Sequence, residues 1–119
     1  MVIAYLLSAA ALQAAPADSV AFDMRCMLVT ERLRERGEES VRNMAAAAMS
    51  FYFGRLDARL GADEFEAGLR GEEQAMRTMT EADFAAALRA CGNFMTARGD
   101  AMQAIAARVE GPPPARPHP

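Results

Sequence analysis

The chain has 119 residues, enough for one small domain. Its 13 basic side chains, all arginine, stand against 16 acidic ones; the net charge is −3 and no basic block occurs, which argues against nucleic acid as a partner. Alanine is abundant and β-branched residues are few, a composition that predicts an all-α fold: a small bundle of four to five helices.

Residues 2–15, VIAYLLSAAALQAA, form an apolar run that ends in small residues. A membrane span needs about 20 such residues, so the run reads as the core of a signal peptide over 1–17, with Ala15-Pro16-Ala17 in the A-x-A form. Met1-Val2 lacks the basic n-region of such signals, and an ordinary first helix packed into the core is the alternative. Export predicts a periplasmic or secreted mature chain with no membrane span.

The helical domain is expected over 18–110. Its first helix runs from an N-cap at Ser19 to Arg36, with Gly37 as a left-handed terminator. Phe22, Cys26, Val29 and Leu33 mark its apolar face. A second helix follows Ser40 and stops at Gly61. It contains the stretch SFYFGRLDARLG (50–61), in which Phe51, Tyr52 and Phe53 stand in a row. Successive helical residues turn by about 100°, so these three rings cannot share a stripe. Either this is a central helix wrapped on several sides, the favoured reading, or Met44, Met49, Phe51, Tyr52 and Phe53 form an apolar binding surface. Gly54 would permit a close helix crossing.

The third helix starts near Asp63 and is weakened at Gly68 and Gly71, where a break would be no surprise. Thr80-Glu-Ala-Asp83 resembles a capping box for the fourth. There Phe84, Leu88, Cys91 and Met95 repeat the four, three, four spacing of the first helix. Cys26 and Cys91 thus occupy equivalent places on two apolar faces, which predicts one disulfide. Closing so long a loop stabilises by about 4 kcal/mol in the chain-entropy picture; two buried thiols are the alternative. Arg98-Gly99-Asp100 reads as a stop and a new cap, or as a soft point in one long helix that carries Met102, Ile105 and Val109. From Gly111 the tail GPPPARPHP (111–119) cannot continue a helix.

The single histidine, His118, lies in that tail, so no Ser-His or Cys-His dyad is available to the folded body. Carboxylates fall at helix starts and in i,i+4 pairs with arginine, where helix stability accounts for them. The chain is therefore expected to bind rather than catalyse, without a cofactor. Met24/Met27 and Met76/Met79 have M-x-x-M spacing, which suits Cu(I). Methionine at helical spacing also serves as flexible core filler, and with no histidine beside either pair filler is the stronger reading.

DMRC (23–26), FYFGRLDAR (51–59) and RACGNFMTARG (89–99) together resemble a group of small exported two-cysteine helical bacterial proteins with no assigned activity. At greater distance the layout is similar to the HdeA/HdeB acid-stress chaperones of the periplasm, with Cys26 and Cys91 matching that family's cysteine pair. The cysteines lie farther apart here, the lysine-rich ends are missing and the tail is proline-rich. The resemblance implies a domain that loosens in acid and uncovers apolar surface for unfolded clients. The expected function is thus an exported helical binding protein, chaperone-like or related to envelope stress. The alternatives are an accessory subunit of an envelope complex and, behind it, a copper-binding protein.

Overall fold

The computed structural model describes residues 15–111. The signal read over 1–17 lies almost wholly outside them, as does the tail after Gly111. Four helices are present among the described residues: α1 (Val20–Arg36), α2 (Glu39–Asp57), α3 (Ala62–Met76) and α4 (Glu81–Glu110). The fold is all-helical.

Local chemistry accounts for the helix starts. The Ser19 side chain accepts from the Phe22 amide at 3.1 Å and caps α1. At α4 a complete capping box forms: Thr80 Oγ1 accepts from the Asp83 amide at 3.1 Å, and Asp83 Oδ2 accepts from the Thr80 amide at 3.2 Å. One stop differs from expectation, and at another one of two alternatives is settled. Gly37 is extended (φ −92°), and glycine is needed there for space, since a Cβ would come within 2.5 Å of Val41 Cγ1. At Arg98-Gly99-Asp100 the second of the two readings, one long helix, holds: α4 continues to a cap at Gly111 with φ +69°. Helix α3 does not break at Gly68 or Gly71.

The central helix is α1, not the helix that carries the three aromatic residues. It packs against each of the other three, and they meet one another through only a few side chains. From Phe22 to Thr30 every α1 residue except Arg25 is buried. The polar Thr30 is satisfied inside its own helix, donating to the carbonyls of Cys26 (2.8 Å) and Met27 (2.9 Å). Close approach occurs at Gly68 rather than Gly54. A Cβ on Gly68 would meet Met24 Cε at 2.8 Å, whereas among the described residues nothing lies within 4 Å of one on Gly54.

Two apolar clusters line α1. One gathers Phe22, Met24, Cys26 and Met27 with Tyr52 and Leu56 of α2 and Cys91 of α4. The other gathers Leu28 and Val29 with Met76 of α3 and Phe84 of α4. Cys26 and Cys91 are bonded within the first cluster, a sequence separation of 65. The bond joins α1 to α4 where the two apolar faces meet.

Candidate functional site

The five residues read as an apolar surface do not form one patch. Tyr52 is fully buried, because its place on the Ala45–Ala48–Leu56 face turns it onto α1; its hydroxyl donates to the Cys91 carbonyl at 2.7 Å. Burial pushes its hydroxyl up to about 12, with the Arg55 charge opposing. Phe51 and Met49 are partly buried against the same cluster. Phe51 sits 5.0 Å from the Tyr52 ring and 6.3 Å from that of Phe94. Only Met44 (62% exposed) and Phe53 (49% exposed) remain open. Nine residues apart, these two face opposite sides of α2.

Phe53 belongs to a different apolar feature, a groove of about 370 Å³ where α2 turns into α3. Its ring lies 5.6 Å from that of Phe65, and Leu60 and Leu69 complete the apolar wall. Asp57 and Glu66 stand on the rim. The turn through Gly61 and Ala62 brings these residues together, so the groove depends on tertiary geometry rather than on either helix alone. A second depression, of about 270 Å³, opens between α1 and α3 and is mostly charged, with Glu31, Glu35 and Glu73 beside Arg32 and Arg77.

An ionic cluster that the sequence reading missed holds α2 to the start of α1. Asp23 is fully buried, and its Oδ2 accepts from Arg55 Nε at 3.1 Å and from Arg59 Nη2. Its other oxygen, Oδ1, has no hydrogen-bond partner among the described residues. Arg55 also donates to the Asp18 carboxylate, and Arg59 Nη1 to the Asp18 carbonyl at 3.1 Å. Asp18 itself has φ +77°, a left-handed conformation that aspartate tolerates better than most residues. Arg55 lies over the Phe94 ring at 4.8 Å, which ties the cluster to α4. One signal was available: Arg55 and Arg59 are like charges at i,i+4, an arrangement that weakens a helix unless an outside carboxylate stands between them. A further pair, Arg25 Nε to Glu72 Oε1 at 2.5 Å, joins α1 to α3.

The four methionines are divided between clusters. Met24 and Met27 pack in the first, Met76 in the second with Met79 against it. No helix among the described residues is long and apolar enough to cross a membrane. Comparison with protein-family models, with curated proteins and with solved structures finds no match to this chain.

Proposed function

We propose that this chain is an exported helical binding protein that holds apolar segments of other proteins, chaperone-like in mode and strengthened by acid. The observation that carries the reading is the half-open groove of Phe53, Leu60, Phe65 and Leu69, apolar inside and acidic at the rim. Apolar side chains exposed together on a small domain are a recurrent mark of protein interaction. At neutral pH the Asp57 and Glu66 rim favours segments that carry basic residues beside the apolar ones, a preference that fades in acid and leaves the apolar wall to do the binding there.

The ionic cluster supports the acid response. Protonating Asp23 leaves Arg55 and Arg59 converging on a neutral group, so the two guanidiniums repel where α2 is held to α1. Across the whole chain, neutralising 16 carboxylates leaves 13 arginines unbalanced. Both effects loosen α2, on which Phe53 sits. The test is aggregation of a denatured client at a series of pH values from 7 down to 2, with the protein at stoichiometric concentration. Suppression should grow as pH falls and weaken in Phe53→Ser; no suppression at any pH refutes the reading.

The accessory-subunit reading finds its support in the far end of α4, where Met102, Ile105 and Val109 are exposed. A stoichiometric partner recovered with the protein from its own envelope would favour it. Copper has no comparable support, because the two methionine pairs serve separate clusters.

A further inference from the structure

The groove between α2 and α3 has a more particular chemistry than apolar surface alone. The Phe53 and Phe65 rings stand 5.6 Å apart with their planes tilted by 56°, so their faces splay rather than stack. Carboxylates gather around them: Asp57 and Glu66 on the rim, Asp63 and Glu64 in the first turn of α3. Arg59, the one cation within residues 57–66, is turned away onto Asp23 and the Asp18 carbonyl. Glu66 is engaged by Arg70 at 2.6 Å, whereas Asp57 enters no ion pair among the described residues.

We propose that this groove takes the proline-rich tail, residues 112–119, of a second copy of the chain. The tail PPPARPHP holds five prolines with Arg116 and His118 and no acidic side chain. Proline segments dock in aromatic-lined grooves at low ordering cost, because their φ is fixed before binding. In the extended left-handed helix that such segments favour, with three residues per turn, Pro114 and Pro117 share one edge and Arg116 projects from the next. Setting that proline edge on the Phe53 and Phe65 rings brings Arg116 to the rim, where Asp57 is the unpaired carboxylate. The apolar run 2–15 carries no charge and gains nothing from this rim, so charge selects the tail.

Reach decides between the chain's own groove and that of a neighbour. Phe53 lies two residues from Phe51, whose ring is 6.3 Å from that of Phe94. Past that level, residues 96–110 carry Gly111 outward by about 22 Å. Pro114 and Pro117 stand three and six residues beyond Gly111, a span of about 9–19 Å when extended. The tail falls short of its own Phe53, so the groove it fills belongs to another copy. Each copy offers one tail and one groove, and mutual exchange about a two-fold axis closes a dimer. Its contacts fall below the roughly 1,600 Å² of a standard interface, so the dimer should dissociate on dilution into the micromolar range.

Sedimentation equilibrium on the oxidised full chain, over a wide concentration range at neutral pH and low salt, tests it. The expected result is a reversible monomer–dimer equilibrium. Pro114→Gly with Pro117→Gly should weaken it about tenfold; both positions lie beyond the cap at Gly111, so the helical body is untouched. Arg116→Glu and Asp57→Arg should each weaken it about tenfold. Combining them should return the dissociation constant to within about threefold of the starting value. A Phe53→Ser chain mixed with an Arg116→Glu chain should associate more tightly than either alone, since one brings an intact tail and the other an intact groove. A monomer at every concentration would overturn the proposal, as would association indifferent to the tail substitutions or a foreign protein found in the groove. The proposal rests on the reading of this groove as a peptide site, yet the two fail separately. Client suppression lost in Phe53→Ser, without tail-dependent association, refutes the exchange alone. Tail-dependent association without suppression at any pH upholds the exchange and refutes client holding.

Discussion

The middle of α1 and the far half of α4 carry similar sequence patterns and have opposite fates. Both are helical, and both space apolar residues by threes and fours. Residues 22–30 of α1 are enclosed by three helices, linked through a disulfide and anchored by a buried carboxylate. Residues 96–110 of α4 meet no cluster among the described residues and leave three large side chains in the open. Periodicity identifies the face a helix wishes to bury. It does not say whether this chain supplies the cover.

The contrast makes substitutions unequal, and the largest effect is expected at Asp23. Asp23→Ala removes the buried anion that Arg55 and Arg59 share, leaving Arg55 with the Asp18 carboxylate alone and Arg59 with none. Breaking a buried pair in this way costs about 3–5 kcal/mol, read as a lower urea midpoint of the oxidised protein. A smaller loss would mean that water reaches the cluster. Next comes the covalent link. Replacing Cys26 and Cys91 together by alanine should cost about 4 kcal/mol through the denatured chain. Because that effect acts on the unfolded state, unfolding of the folded form should accelerate less than the stability loss alone implies.

Tyr52 sharpens the comparison through pH. Its hydroxyl titrates near 10 in the unfolded chain and about 12 when folded, so the neutral form is the one the fold accepts. Its stabilising contribution is complete below pH 10 and is lost as pH rises through 12, about 3 kcal/mol in all. Tyr52→Phe should cost about 1 kcal/mol at neutral pH, through loss of the bond to the Cys91 carbonyl, and should remove this part of the alkaline decline. An unchanged alkaline profile would place the response elsewhere. The smallest effect belongs to the far half of α4. Met102→Gln and Val109→Ser should each change monomer stability by less than about 0.5 kcal/mol, because neither side chain is covered in the monomer.

Some of this was legible in the sequence for identifiable reasons. Ser19 and Thr80 cap their helices through hydrogen bonds reaching only three residues, so local sequence sufficed. The cysteine pairing was legible because Cys26 and Cys91 sit at matching places on two apolar faces. The ends and interruptions were harder. Gly99 costs a helix only about 1 kcal/mol, too little to stop α4 between good helix formers. Gly37 is set by crowding against Val41, a contact visible only once α2 is placed. The groove at Phe53 and the Asp23 cluster depend on which face of α2 meets α1. An aromatic run around three sides of that helix leaves this choice open.

Hydrogen exchange of the oxidised chain, followed residue by residue at low concentration and neutral pH, tests the contrast most directly. Amides of residues 26–32 should exchange only with global unfolding. Those of residues 98–110 should exchange orders of magnitude faster, since a short uncovered helix is marginal in water. Equal protection in the two segments would contradict the account, because the far half of α4 would then be held by its own chain.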